Sequence, residues 1–362
     1  MTLLMTGFPG FLGGALLPRI LGRTDEAAVC VVQPKFAALA RRRADEMVTA
    51  DASLAGRIEL VEGDITQPGL GLRPEDARRI AAATTELWHL AAVYDLAVPR
   101  PLGMRVNVDG TRHVLDLAEQ CPDLRRVQYF STCYVSGRWA GPFAEEDLEV
   151  GAPFNNFYEE TKHLAEVDVR ARMRRGLPAT IYRPSIVVGD SVSGETQKYD
   201  GPYFVIQWLM RQRRVAVMPV PGDPTVTRLN VVPRDFVLDA VTHLSALPQS
   251  LGVTYQLADP HPLTVAELLD ALSMVLRRRV VPVPVTRRMA RRAVLSVPGV
   301  HGLLRIPAEA VDYFAHPAHY LTANARRDLE GSGIAVPPLP SYLDRLVSYM
   351  RAHPEVGSAA MV

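Results

Sequence analysis

Residues 1–21 read MTLLMTGFPGFLGGALLPRIL. A short apolar run, LLMT at 3–6, meets three glycines spaced three apart, Gly7, Gly10 and Gly13. An apolar stretch of helical length, from about Phe11 to Leu21, follows them. Strand, glycine turn and helix in that order make the first unit of a dinucleotide-binding α/β layout. Gly7 permits the tight turn, Gly10 lets backbone approach a pyrophosphate, and Gly13 lets the helix pack closely on the strand. The helix N-terminus then presents free N–H groups and the positive end of its dipole. Phe8, Phe11 and Leu12 lie in the same turn and are expected to share the cofactor contacts. The motif alone fits any glycine-rich turn, so the rest of the chain must decide.

Outward from this unit, strand-length apolar runs alternate with helical segments. AAVCVV (27–32) precedes FAALARRRADEM, and RIELVEGD (57–64) precedes a helix near 74–83. ELWHLAA (86–92) precedes NVDGTRHVLDLAEQ (107–120), RVQYFST (126–132) follows, and ATIYRPSIVVG (179–189) reads as one further strand. Continuous apolar strands joined by helical crossovers predict an α/β fold, a Rossmann-type doubly wound parallel sheet. After about Gly189 the rhythm breaks. Residues 190–228 read as loop, 230–247 as helix, 253–259 as strand and 263–276 as helix. The expected division is 1–189 with 229–259 for the dinucleotide and 190–228 with 260–362 for a smaller, mostly C-terminal substrate lobe.

The composition bounds the function. The 362 residues are 48% hydrophobic, enough for a large core, and 40 Lys and Arg against 39 Asp and Glu give a net charge of +1. That balance excludes the basic footprint of a nucleic-acid binder. Cys30, Cys121 and Cys133 fit neither a disulfide framework nor a zinc site, which predicts a reducing, cytoplasmic setting and no metal. The start has no basic segment of a signal peptide, and no apolar run reaches the length of a membrane span.

Two further stretches carry chemistry. An NAD site usually places an acid at the end of the second strand, to bind the ribose 2′-hydroxyl. VVQPK has no carboxylate from Val32 to Lys35. Lys35 and the run Arg41–Arg43 suit a 2′-phosphate, so NADPH is expected, with NADH as the alternative; a solvated helix face explains the arginines equally well. In NNFYEETKH (155–163), Tyr158 and Lys162 are four apart and share a helix face. YFSTCYVSG ends a strand with Ser131 and Thr132. A phenol ionises near pH 10. A lysine ammonium beside it lowers that value and makes the phenol a usable proton donor to a carbonyl oxygen. A strand-end hydroxyl holds that oxygen in place.

These residues, in this order, resemble the extended short-chain dehydrogenase/reductase family. The likeness rests on TGFPGFLG, GDI (63–65), HLAA (89–92), NVDGT (107–111), STCYVSG (131–137), YEETK (158–162) and YRPSIVVGD (182–190). The resemblance implies that Tyr158 is the acid, Lys162 its electrostatic partner and ribose ligand, and Thr132 the carbonyl-binding hydroxyl. Ser131 would point to the opposite strand face. Asp64 and Ile65 would flank the adenine. Leu90, Ala91 and Ala92 would line the ribose-pyrophosphate path, with Asn107 near it, and Pro184, Ser185 and Val187 would lie by the nicotinamide. VEGDITQPGLGL (61–72) and VVQPK further resemble fatty-acyl-CoA reductases and the reductase domains that release carrier-protein thioesters. Gln33, also expected at the cofactor, stands where that subfamily usually has arginine.

The resulting expectation is an NAD(P)-dependent reductase of an acyl thioester or aldehyde with an apolar chain, its substrate carried on CoA or a carrier protein. The rivals are an alcohol dehydrogenase or ketone reductase on a sterol-like or flavonoid-like molecule and an NAD-dependent sugar-nucleotide epimerase or dehydratase. An NADP-binding sensor or scaffold is the non-catalytic alternative. Cys133, Tyr134, Trp139 and Phe143 are expected at the substrate, although the apolar ones suit a core as well. His316 and His319 straddle Pro317 and read as structural. TRRMARRAVLSVPGVHGLLR (286–305) reads as a lid or a docking face, which leaves membrane contact and oligomeric state open.

Overall fold

The computed structural model describes residues 1–286, 289, 313 and 316–357. In chain order the strands are β1 (Thr2–Thr6), β2 (Ala27–Val32), β3 (Ile58–Glu62), β4 (Thr84–His89), β5 (Arg126–Phe130), β6 (Gly141–Phe143), β7 (Ala179–Pro184), β8 (Ile186–Val188), β9 (Val215–Pro221), β10 (Val231–Pro233), β11 (Thr254–Leu257), β12 (Arg279–Val285) and β13 (Ala318–Tyr320). The helices used below are α1 (Phe11–Leu21), α2 (Ala37–Ala50), α3 (Pro74–Ala83), α4 (Arg100–Gly103), α5 (Gly110–Ala118), α6 (Phe157–Met173), α7 (Pro202–Arg211), α8 (Arg234–Ala246) and α9 (Val265–Leu276).

Seven strands form one sheet in the order β3-β2-β1-β4-β5-β7-β11, every pairing parallel. The chain winds one way from β1 to β3 and the other way from β4 onward. The carboxyl ends of β1 and β4 therefore open a crevice where crossovers diverge, the usual ligand position in such sheets. Successive residues face opposite sides of a strand, so β1 feeds two cores. Leu3 and Met5 join α1, α8 and the short helix Ala323–Leu329 on one face. Leu4 joins side chains of α3, α5 and α6 on the other. Both faces are covered, which explains the unbroken apolar strands.

Three local expectations differ. The strand expected over 179–189 breaks at Ser185: β7 stays in the main sheet while β8 leaves it to pair with β10. The helix expected from Asn107 begins earlier, with α4 and a wide π-type turn at Met104–Asp109 before α5. Residues 190–228, read as loop, contain α7 and β9. The prolines of VAVMPVP and RVVPVPV hide the strands, because proline removes a ladder donor. β9 and β12 nevertheless pair in parallel as a two-stranded ribbon outside the main sheet, with Pro219, Pro282 and Pro284 exposed.

This ribbon, α7, α9 and the helix Leu343–Ala352 enclose a second core around Tyr203, Leu209, Leu268, Leu272 and Leu346. Residues 323–336, expected in the substrate lobe, return to the first core through Ala325, Leu329, Ile334 and Val336. Most of the stretch 286–305, expected as a lid or docking face, lies outside the described residues.

Candidate active site

The glycine turn is built by close approach. Gly7 has φ +95°, and a Cβ there would stand 2.7 Å from the backbone nitrogen of Ala91. A side chain at Gly7 is therefore refused both by the left-handed backbone and by the wall at the end of β4. At Gly13 a Cβ would lie 2.6 Å from the Gly7 carbonyl oxygen, so α1 sits directly against the turn. No side chain caps α1, and no acid occupies its first turn. Its leading residues, Gly10 to Gly13, line the cleft. Together these make a backbone cradle for an anion.

The cleft has a volume of about 720 Å³. Gln33, Lys35, Asp64 and Ile65 line it near the second strand; Leu90, Ala91 and Ala92 follow β4; Thr132, Tyr158 and Lys162 come from the β5 end and α6. Pro184, Ser185 and Val187 complete the wall. Among the described residues, the buried Ser185 hydroxyl has no hydrogen-bond partner. An orphaned donor in the same cleft as Thr132, Tyr158 and Lys162, together with the anion cradle, fits a nicotinamide dinucleotide. Burial pushes the Asp64 carboxyl up, but hydrogen bonds from Thr66 and Gln33 and the charge of Lys35 bring it net below its usual range.

Lys162 is buried, and its Nζ donates to the Phe130 carbonyl oxygen at 2.7 Å and to the Tyr129 hydroxyl at 3.3 Å. Burial lowers its pKa to about 8, against a raising effect from Glu166. The Thr132 hydroxyl donates to the Pro184 carbonyl oxygen at 3.3 Å and accepts the Tyr134 N–H. Burial pushes the Tyr158 phenol above its ordinary value and outweighs a hydrogen bond with Thr132. With its own value at about 8, Lys162 gives up its proton before a phenol raised above its ordinary value ionises, so the expected lowering does not offset the burial. The consequence is a phenol that stays protonated near neutrality, the state an acid needs.

Several expected contacts fall elsewhere. Arg41 is exposed on α2, where it shares a shallow depression with Arg42, Asp45 and Glu46, and is not part of the cleft wall. Asn107 is buried behind that wall. Its amide pairs with both backbone groups of Val93 and donates to Thr161 at 3.0 Å, pinning the loop after β4 to α6. Cys133, Trp139 and Phe143 pack in a separate small core with Leu148, Ala258 and Tyr320. Cys133 follows Thr132 on a turn whose side chains point inward, and it donates to the Arg183 carbonyl oxygen at 3.0 Å. Of the four expected substrate contacts, Tyr134 alone lines the cleft. His316 is buried beside β13, its Nε2 2.8 Å from the Tyr320 hydroxyl, while His319, within β13, is exposed.

The sequence reading missed two features. Behind the site, Glu166 and Arg183 form a fully buried ion pair at 2.6 Å. Glu166 also accepts from Ser131 at 2.6 Å, as the strand alternation implies, and from Arg170 at 2.9 Å. Its spacing, four residues beyond Lys162 on the same helix, was available as a signal. In front of the site, Lys198 and Asp200 form an ion pair at 2.7 Å on the cleft wall beside Tyr94. They lie in a loop with no motif, and they interrupt what was expected to be an apolar cleft.

Sheet, glycine cradle and Tyr-Lys-Thr set define an NAD(P)-dependent oxidoreductase of the extended short-chain dehydrogenase/reductase class. The family model described as male sterility protein, an NAD-binding family, matches residues 5–241, and the chain belongs to that family. Glycine betaine reductase ATRR of Emericella nidulans is 29% identical over 285 residues, covering 75% of this chain and 22% of that protein. A component of the linear gramicidin synthase of Brevibacillus parabrevis is 30% identical over 281 residues, 74% of this chain and 5% of that protein. The chain thus spans under a quarter of either relative's length. Among solved structures, the terminal R domain from the myxalamid PKS-NRPS biosynthetic pathway superposes with a TM-score of 0.84 at 27% identity, over 98% of this chain and 91% of that one. A UDP-glucuronic acid 4-epimerase from Bacillus cereus, at 16% identity and a TM-score of 0.67, shares the fold. Among the described residues no helix is long and apolar enough to cross a membrane.

Proposed function

We propose that the chain reduces an acyl thioester, delivered on a carrier protein or CoA, to an aldehyde and a free thiol with NADPH. The observation that carries this reading is the convergence of Thr132, Tyr158 and Lys162 on the same cleft as the glycine cradle. The likeness to a terminal R domain and to a linear gramicidin synthase points to a thioester among carbonyl substrates. The bound nicotinamide supplies the hydride. Tyr158 gives its proton to the carbonyl oxygen as negative charge develops there, and the Thr132 hydroxyl holds that oxygen at the phenol. The resulting hemithioacetal collapses: its hydroxyl gives up a proton as the C=O bond re-forms, the carbon–sulfur bond breaks, and the sulfur takes a proton and leaves as the thiol. Ser185 offers its unpartnered hydroxyl to the cofactor, and Lys162 anchors the ribose side of the site. The missing carboxylate after β2 and the presence of Lys35 on the wall favour NADPH. The division into a cofactor lobe (1–189 and 229–259) and a substrate lobe (190–228 and 260–362) is part of the same reading, with 323–336 assigned to the cofactor side because it packs there.

The test is oxidation of NADPH and NADH, followed by absorbance, against matched acyl-CoAs, carrier-bound thioesters, aldehydes, ketones and a UDP-sugar. Turnover of thioesters with NADPH, with aldehyde as product, is expected. Turnover confined to ketones or to the UDP-sugar refutes the reading.

A further inference from the structure

Lys162 and Tyr129 meet where α6 packs against the end of β5. Strand alternation turns Tyr129 to the core shared with α3, α5 and α6, whereas Phe130 belongs to the opposite core. Lys162 Nζ finds partners on both of these consecutive residues, the Phe130 carbonyl oxygen at 2.7 Å and the Tyr129 hydroxyl at 3.3 Å. It also stands 4.8 Å from the centroid of the Tyr129 ring. An ammonium has three N–H bonds. Among the described residues Lys162 donates no other hydrogen bond, and it lines the cleft, so one N–H is left for a ligand.

Tyr129 is itself held. It is fully buried, and its ring packs at 5.7 Å on His89 of β4. The Thr111 hydroxyl donates to the Asn107 carbonyl oxygen at 2.6 Å. It therefore accepts from His89 Nε2 at 3.0 Å, which leaves His89 Nδ1 to accept from the Thr6 hydroxyl at 2.7 Å. Each hydrogen in this chain has one place to go, so the imidazole beside Tyr129 is locked. Burial, then the charge of Lys162, keeps that imidazole neutral, its pKa at about 3. Burial likewise pushes the Tyr129 phenol well above its ordinary value. On α6 itself, Glu166 is ionised and Tyr158 protonated at neutral pH. None of the titratable groups around Lys162 changes charge where the lysine does.

A purely packing role would ask only for a ring here, and phenylalanine would fill the space without burying a hydroxyl. The hydroxyl instead meets the ammonium. Resting on the reductase reading above, we propose that Tyr129 is a positioning residue for that reaction: its hydroxyl and ring together fix the Lys162 ammonium and leave the third N–H to the cofactor and Tyr158.

The experiment uses the intact chain as Tyr129→Phe, which keeps the ring and removes the hydroxyl, and as Tyr129→Met, which removes both. Initial rates at saturating NADPH are followed across neutral and alkaline pH. Wild-type kcat/KM is expected to decline as pH rises through about 8. An ammonium that loses an acceptor gives up its proton more readily, so in Tyr129→Phe the decline moves to lower pH by about one unit, the scale of one hydrogen bond to a charged group. In Tyr129→Met it moves at least as far. The same limb is read in the dissociation constant for NADPH, measured by fluorescence against pH, which needs no turnover. A limb unmoved in both variants, with or without a loss of thermal stability, makes Tyr129 a packing side chain and overturns the proposal. If no thioester is reduced but the limb in NADPH affinity moves as stated, the thioester reading fails and the hold of Tyr129 on Lys162 stands.

Discussion

Glu166→Gln replaces one carboxylate oxygen by an amide nitrogen at a fully buried position. Glu166 and Arg183 have fully buried side chains. The carboxylate accepts from Arg183 Nη2 at 2.6 Å, Arg170 Nε at 2.9 Å and Ser131 Oγ at 2.6 Å. Glutamine keeps the shape but presents an NH₂ donor to this ring of donors and leaves the Arg183 charge unpaired. Breaking one partner of a buried pair costs about 3–5 kcal/mol, and urea unfolding near neutral pH should show a loss of that size. Burial pushes the Glu166 carboxyl up, but the charge and hydrogen bonds of Arg183, then Arg170 and Ser131, hold it at about 2. Since the folded value lies below the ordinary one, this stabilisation is complete above the usual carboxylate range. It is lost as pH falls from there toward about 2, so wild-type stability should fall across that window while the variant lacks this component. Glu166 also raises the Lys162 pKa, which stands at about 8. If the charged lysine is the active form, wild-type kcat/KM declines as pH rises through about 8, and the variant declines at lower pH. A loss of stability under about 1 kcal/mol together with an unmoved alkaline limb would refute the reasoning.

Tyr158→Phe should bind NADPH within about three-fold of wild type yet lose roughly 10²–10⁴ in kcat, the worth of general acid catalysis; near-normal turnover removes the phenol from the mechanism. Ser185→Ala deletes a buried hydroxyl that has no partner among the described residues. Thermal stability should hold or rise, while cofactor KM increases several-fold; an unchanged KM would separate Ser185 from the nicotinamide. Lys35→Ala should raise KM for NADPH and leave NADH little affected, and equal changes for both cofactors would show that Lys35 does not read the 2′-phosphate. Gly7→Ala, with φ +95° and a Cβ 2.7 Å from the Ala91 nitrogen, should abolish cofactor binding measured by fluorescence titration; retained affinity would mean the β1–β4 crevice has slack.

The parallel sheet was legible because its strands carry buried runs such as AAVCVV, matched residue for residue by β2, and because glycines stand where backbones nearly touch. Tyr158 and Lys162 were legible because helical spacing puts them on one face. What escaped notice has physical causes. Proline-rich β9 and β12 read against a strand in sequence, and they are tolerated because in a two-stranded ribbon both strands are edges. Phe143 and Trp139 follow the active-site strand closely in sequence, yet the turn at Cys133–Ser136 carries the chain into another core. Arg41 shows that a charge run near a cofactor strand has two outcomes, decided by which face of α2 it occupies. Lys198 and Asp200 carry no periodicity at all, and their partnership exists only once the loop is folded.

The return of residues 323–336 to the core under β1 has a mechanical consequence. The backbone N–H groups of Asn324 and Ala325 are held by the Glu145 carboxylate at 2.6 and 3.1 Å, and the Tyr255 hydroxyl donates to Asp328 at 2.6 Å. Beyond them, Leu339 to Met350 rejoin the other core. The polypeptide therefore laces back and forth between the two cores like a thread through two pieces of cloth. A swing about one joint would tear several stitches at once, so widening of the mouth must come from small, simultaneous slides along many seams. A cut after residue 259 would strip Ala325, Leu329, Ile334 and Val336 from the core that packs under β1.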